Sequence, residues 1–309
     1  MKLRKIAALS CVIAAAGMTL AGCGGTGNNQ TAEDGPEGGV VSETAPEGSF
    51  NTSANITVLS REDGSGTRGA FIELFGVEVK NEDGEKEDMT TVDATITNNT
   101  EVMMTTVNGN PYAIGYCSLG SLNESVKAVQ IDGVDATTEN VAAGTYQIAR
   151  PFHIVVQDDL SDVANDFIGY ILSQEGQAVV AAGGYIPISD AEAYAGTQPK
   201  GKVSVVGSSS VSPIMEKLKE AYEAVNPNAS IEIQTNDSTT GITSAIEGTC
   251  DIGMASRDLK EEETGVNAIK IAMDGIAVIV NNENPITDLS AEAVRQIFTG
   301  EVTTWSEVE

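Results

Sequence analysis

Residues 56–71 read Ile-Thr-Val-Leu-Ser-Arg-Glu-Asp-Gly-Ser-Gly-Thr-Arg-Gly-Ala-Phe, and residues 203–218 read Val-Ser-Val-Val-Gly-Ser-Ser-Ser-Val-Ser-Pro-Ile-Met-Glu-Lys-Leu. Each stretch is a short β-type run, a loop of Ser, Thr and Gly, and then a helical pattern. Such a unit aims a helix N-terminus and free backbone N–H groups at one point, which is how a protein holds an oxyanion. Repeated strand–loop–helix units predict an α/β fold with its site at the carboxyl ends of the strands.

In the first loop, Gly64 and Gly66 let the backbone approach a ligand closely. Ser65 and Thr67 add hydroxyls, and Arg61 adds a planar fork that can hold two oxygens. A Gly/Ser turn before a helix is also what a plain capped loop looks like. In the second loop, Ser212 is expected at the N-cap and Pro213 at the first helical position. A capped amphipathic helix explains those two residues but not Ser208, Ser209 and Ser210. A third loop, Thr235 to Gly241, follows the alternating run Ser230–Gln234 and precedes the helical face Ile242, Ala245 and Ile246. A fourth strand, Asp251-Ile252-Gly253-Met254, runs into Ala255-Ser256-Arg257.

The chain of 309 residues opens with Lys2, Arg4 and Lys5, an apolar run Ile6–Leu20, and Leu20-Ala21-Gly22-Cys23. These read as a targeting segment over 1–22, outside the fold. Residues 23–54 have few large apolar side chains and read as a tether, because they cannot bury enough surface to offset their ordering entropy. The folded part is then about 55–309. A net charge of −28 argues against nucleic acid as a partner and against an anionic membrane patch. Repulsion of a small anion is screened beyond about 8–10 Å at physiological salt, so a buried site of local dipoles and one or two arginines can still bind one. Of the four cysteines, Cys117 and Cys250 fall in the folded part, and free buried thiols are expected there. The single histidine, His153, lies in the apolar run Pro-Phe-His-Ile-Val-Val and reads as a core or hinge residue. No nucleotide P-loop, no Gly-x-Ser-x-Gly elbow and no metal-ligand spacing is present, and one histidine leaves little room for a serine triad. No cofactor, metal or catalytic residue is predicted.

The stretch Ser60–Phe71 closely resembles the ligand loop of high-affinity phosphate-binding proteins of ABC transporters. So do Ala113–Gly120 and Phe167–Gly184. Ser208–Tyr222, Asp251–Arg257, Asp274–Val280 and Ile297-Phe298-Thr299-Gly300 through Trp305 resemble the opening half of the same family. The order departs from the family's usual one: the later half comes first, and residues 189–202 join the usual C-terminus to the usual N-terminus. This looks like a circular permutation, which survives when the old termini are close and the new break is exposed. The resemblance implies a two-lobed periplasmic-binding-protein clamshell of type II. One lobe is expected over 55–147 and 285–309, and the other over 148–284. The chain is expected to cross between them near 150–155 and 280–284, with residues 189–202 on the surface, outside the core.

The resemblance further implies a phosphate site of Ser209, Ser210 and Ser238 facing Arg61, Asp63, Ser65, Gly66 and Thr67. Ser256 and Arg257 occupy the place where some members carry an Asp that accepts the phosphate proton. Arg257 cannot accept, so Asp63 is a candidate for that role, and a structural ion pair is the alternative for Arg257. The implied function is capture of inorganic phosphate outside the membrane and delivery to an ABC permease by a monomer. Leu20–Cys23 resembles a lipobox, implying a diacylglycerol thioether at Cys23, with acyl chains such as palmitate, as the sole membrane anchor. Sulfate is the alternative ligand, and a sensor or adhesion role the alternative to transport. A phosphoester hydrolase lacks its metal ligands, base and nucleophile here.

Overall fold

The computed structural model describes residues 50–308; the expected signal segment, Cys23 and most of the expected tether lie outside the described residues, as does Glu309. The 56–71 unit forms strand β1 (Thr57–Arg61) and helix α1 (Gly66–Leu74). The next such unit is β2 (Thr95–Thr97) followed by α2 (Thr100–Asn108), and β3 (Ala113–Ser118) comes after it. β1 lies between β2 and β3, parallel to both. Strand β4 (Ala149–Val156) leads to α3 (Asp162–Ile171) and α4 (Gln174–Ala182). Then come β5 (Gly201–Ser208), α5 (Ser212–Val225), β6 (Ala229–Asn236), α6 (Ser238–Ile246) and β7 (Ile252–Ala255). The long strand β8 (Asn267–Val280) and helix α7 (Ala291–Thr299) follow, and short strands and turns of helix fill the connections.

The main sheet runs in the order β6-β5-β7-β4-β8-β3-β1-β2. β5 pairs in parallel with β6 and β7, so their loops all open at one edge. β8 is shared. Asn267–Gly275 pair with β4, and Ile276–Val280 pair with β3, both antiparallel. The two largest core clusters follow this division. One joins Phe152, Phe167, Ile214, Leu218, Tyr222 and Ile271; the other joins Phe71, Tyr116, Ile276, Val278, Phe298 and Trp305. In the second core, Phe71 stacks on Tyr116 at 3.9 Å and meets Phe298 at 4.6 Å. Each such aromatic pair adds about 1 kcal/mol beyond the area it buries. The chain therefore passes between lobes at Asp274–Ile276, earlier than the expected 280–284, because Ile276, Val278 and Val280 pack with the first lobe.

Two margins differ from expectation for the same reason: an aromatic side chain finds a partner. Phe50 packs on Tyr112 at 5.1 Å and on Trp305 at 6.1 Å, so ordered chain begins before residue 54. Tyr194, in the 189–202 segment, meets Tyr170 edge-on at 5.2 Å and donates to Asp166 Oδ2 at 2.6 Å. That segment crosses the surface but adds one residue to the edge of the core. At the other end, Asn55 bridges Thr304, and Ile56 N–H donates to Thr303 O at 2.8 Å. The first and last described segments thus meet in one lobe. Cys117 and Cys250 are free and buried, in different cores. Burial beside Asp274 pushes the Cys117 thiol up to about 12, and burial pushes Cys250 up to about 11.

Candidate functional site

The loops after β1, β2, β5, β6 and β7 converge between the lobes. Arg61 ends β1 and is 2 % exposed. Its backbone N–H donates to the Tyr116 hydroxyl at 3.1 Å, which fixes the strand end. Its guanidinium grips both Glu62 carboxylate oxygens, at 2.8 and 2.7 Å. The same fork donates across the cleft to Ser209 Oγ at 3.0 Å and, within its own lobe, to Thr100 Oγ1 at 3.4 Å. Thr67 Oγ1 lies 2.8 Å from Ser210 Oγ and 3.5 Å from Ser256 Oγ. Ser238 Oγ accepts from Ser256 N–H at 3.0 Å and lies 3.3 Å from Ser256 Oγ. Ser65 caps α1, its hydroxyl accepting from Arg68 N–H at 3.3 Å.

The glycines behave as the sequence requires. A Cβ on Gly66 would stand 2.6 Å from Ser238 Oγ and 2.8 Å from Ser256 Oγ. A Cβ on Gly64 would run into the Asp237 carboxylate of the opposite lobe. Gly64 O also accepts from Thr239 N–H at 3.2 Å, a backbone bond across the cleft. Helix α5 begins one residue earlier than expected. Val211, not Ser212, is its N-cap, with Pro213 in the first turn and no side-chain capping bond. Ser212 Oγ instead donates to Ser208 O and accepts from Thr235 Oγ1. The first-turn N–H groups of α5 therefore face the serine loop without a capping side chain of their own.

Eight of the ten predicted site residues come together here: Arg61, Ser65, Gly66, Thr67, Ser209, Ser210, Ser238 and Ser256. Asp63 and Arg257 do not. The Asp63 carboxylate is 97 % exposed and pairs with Arg68 at 2.8 Å. Arg68 also donates to Arg61 O at 2.7 Å, so it staples the loop and draws Asp63 outward. Glu62, not Asp63, orients Arg61. Arg257 forms a forked pair with Glu263, both bonds 2.7 Å, and also donates to Thr239 Oγ1. It is a structural ion pair, as the alternative reading had it. His153 accepts that structural role too: it is buried, with Nδ1 3.2 Å from Arg257 O.

Two residues of the cluster were not singled out. Thr100 lies 3.4 Å from Ser209 Oγ and 3.3 Å from Ser210 Oγ. Its signal was present: Asn98-Asn99-Thr100 follows a β-type run and opens a helix, as the other loops do. Arg150 donates to Thr67 Oγ1 at 3.0 Å. Nothing in its local sequence marked it beyond a place in the hinge.

The electrostatics are those of a neutral donor site. Arg61 is balanced by Glu62 and Arg150 by Asp274, each pair at 2.7 Å. Ser209 and Thr100 accept from Arg61, Thr67 from Arg150, Ser238 from Ser256 N–H, and Ser65 from Arg68 N–H. A hydroxyl has one hydrogen and two lone pairs, so an accepting hydroxyl keeps its hydrogen to donate, here to a neighbouring hydroxyl or to a ligand. An open cleft of about 1000 Å³ leads to the cluster's Thr100–Ser209 edge, and Glu62, Glu101, Glu216 and Asp237 line it. Among the described residues, no group of three His, Cys, Asp or Glu could hold a metal ion, and no helix is long and apolar enough to cross a membrane.

A family model described as a PBP superfamily domain matches residues 45–175 and 192–309. The phosphate-binding protein PstS 2 of Streptococcus agalactiae is 54% identical over 273 residues, 87% of this chain and 93% of that protein. A crystal structure of a phosphate ABC transporter phosphate-binding protein from Streptococcus pneumoniae is 47% identical and covers 83% of this chain and 100% of its own, with a TM-score of 0.66. The phosphate-binding protein PstS of Staphylococcus haemolyticus is 36% identical over 118 residues only, 35% of this chain and 37% of that one. The chain belongs to the PBP superfamily and, within it, to the family of the streptococcal phosphate-binding proteins PstS 2.

Proposed function

We propose that this chain captures inorganic phosphate between its two lobes, outside the membrane, and delivers it to the permease of an ABC transporter. It is a binding protein and not an enzyme. Arg61, Ser65, Gly66, Thr67 and Thr100 serve from one lobe, and Ser209, Ser210, Ser238 and Ser256 from the other. What supports this most is the polarity of the cluster. Buried hydroxyls, five of them accepting from an N–H and the other two, Ser210 and Ser256, bonded to neighbouring hydroxyls, gather at one place, and the neighbouring arginines are charge-neutralised. Such a site favours an oxyanion through dipoles, without a free positive charge that would hold it too long.

Hydrogen phosphate carries a proton and needs an acceptor that sulfate does not. With Asp63 drawn outward, Glu62 is the carboxylate at the cleft that fills this role. Sites built around a hydrogen-bond partner reject the analogue lacking it by about 10⁴-fold or more. Isothermal titration with phosphate, arsenate and sulfate tests the assignment. Phosphate and arsenate bind, and sulfate binds far more weakly; comparable sulfate affinity refutes it. Glu62→Gln narrows the gap between phosphate and sulfate.

Cys23 carries the lipid anchor in this reading, so Cys23→Ser releases the protein from membranes with its affinity intact. The exchanged order of the halves is a circular permutation. The meeting of residues 54–56 with 303–305 supports it, as does the surface course of 189–202. The short span of the staphylococcal match fits it as well. Removing 189–202 and joining the present C-terminus to Ile56 gives a foldable phosphate binder; an insoluble or inactive product counts against the permutation.

A further inference from the structure

Arg150 and Asp274 form an ion pair at 2.7 Å with 2 % and 0 % side-chain exposure. They are register partners on β4 and β8, at the place where the chain passes between lobes. Asp274 Oδ1 also accepts from Gly120 N–H at 3.2 Å. Around the pair lie the buried hydroxyls of Ser118, Ser121 and Tyr185, and Arg150 Nε is buried with no partner. A buried ion pair seldom stabilises a fold more than apolar residues of equal volume would, because desolvation offsets the attraction. The unpaired Nε makes it a still poorer stabiliser. An ion pair in so costly a place points to a task other than packing.

The second arm of the guanidinium shows that task. While Nη1 holds Asp274, Nη2 donates to Thr67 Oγ1 at 3.0 Å. Thr67 sits in the first turn of α1 and touches Ser210 of the opposite lobe. A threonine hydroxyl can turn its hydrogen toward the cleft or away from it. With Arg150 occupying one lone pair, the hydrogen of Thr67 is left to point into the serine cluster.

We propose that Arg150, anchored by Asp274, is a positioning residue of the anion site that acts through Thr67, committing this hydroxyl to donate across the cleft. The inference rests on the phosphate reading above. It requires the planar fork. A lysine at 150 keeps the charge opposite Asp274, but its compact ammonium cannot serve Asp274 and Thr67 in the same geometry.

The test is a double-mutant cycle by isothermal titration of phosphate into the wild-type chain, Arg150→Lys, Thr67→Val and the double variant, each checked by circular dichroism. Arg150→Lys weakens binding about tenfold or more when Thr67 is present, the loss expected for a hydrogen bond that involves a charge. In the Thr67→Val background the same change costs less than about twofold, since the group through which Arg150 acts is gone. Equal losses in both backgrounds, or no loss in either, overturn the proposal. Equal losses would mean that Arg150 touches the anion directly or only supports the fold. Should Arg150→Lys fail to fold, the paired replacement Arg150→Met with Asp274→Leu removes both charges together and is read in the same cycle. A wild-type chain that takes up no phosphate would refute the functional reading itself, whereas a wild type that binds, with additive variants, refutes only the role of Arg150.

Discussion

Gly66→Ala separates closure from folding, because its two effects have opposite signs. Gly66 opens α1, where alanine is the better helix former by about 1 kcal/mol. With the lobes apart, the new methyl faces solvent, and the variant should be at least as stable as the wild type. With the lobes together, the methyl carbon would stand 2.6 Å from Ser238 Oγ and 2.8 Å from Ser256 Oγ. Ordinary contact begins near 3.4 Å, so closure must stop short by more than half an ångström. Neither serine can yield freely, since Ser238 Oγ accepts from Ser256 N–H and Ser256 Oγ accepts from Ser208 Oγ. Overpacking of this kind costs about 1–3 kcal/mol, or roughly 5- to 150-fold in affinity. The 2.8 Å contact between Thr67 and Ser210 lengthens at the same time. The assay pairs phosphate titration with thermal melting in the absence of phosphate. Affinity falls by at least about fivefold while the melting midpoint holds or rises. Wild-type affinity in the variant would mean that these loops do not meet around the ligand, and the site would have to be sought elsewhere.

Arg61→Ala weakens phosphate binding more than Ser65→Ala in the same titration, because charged hydrogen bonds contribute about 1.5–3 kcal/mol and neutral ones about 1. Ser65→Ala in addition lowers the melting midpoint, through loss of an α1 cap worth about 1 kcal/mol. Arg257→Met leaves phosphate affinity unchanged and destabilises the fold by about 1–3 kcal/mol, read by urea unfolding. Burial pushes the Glu263 carboxyl upward, but its bonds from Arg257 and Lys260 N–H outweigh that and hold it below its ordinary value. A depressed carboxyl contributes stability above its unfolded pKa and loses it as pH falls through the folded one. The acid limb of the stability curve, below about pH 4.3, is therefore shallower in Arg257→Met. Cys117 and Cys250 react with a thiol reagent only at the rate of unfolding, and fast labelling of the native chain would contradict their burial.

The strand–loop–helix units were legible because they are local. A β-type run, a hydroxyl-rich turn and an amphipathic helix lie within about sixteen residues of sequence, and each unit folded so except at the start of α5, where Val211 replaces Ser212 as the N-cap. Ser209, Ser210, Ser238, Ser256 and Thr67 could be named for that reason. What was not legible depends on partners far along the chain. Arg150 gains its place from Asp274, its register partner on β8. Thr100 joins the site because β2 lies beside β1 in parallel. Asp63 resembled an acceptor in sequence, yet Arg68, one helical turn on, pulls it to the surface. The crossing point followed from side-chain packing: Ile276 and Val278 are apolar on any reading, and which core takes them is decided by the alternation of β8 against β3 and β4. Phe50 and Tyr194 lie in polar, loop-like segments, where one aromatic ring was enough to tie the chain down.

β8 runs unbroken for 14 residues through both lobes. A clamshell joined by loops swings like a gate on pins, with little restoring force. Here one of the connections is itself sheet, laddered on β4 along its first part and on β3 along its second. Opening the mouth must wind that ribbon, as a torsion bar is wound, and the strain spreads over many peptide units. The movement is then elastic and limited in travel. No backbone amide in Asp274–Ile276 needs to be released for it, so protection from hydrogen exchange there persists through every cycle of capture and release.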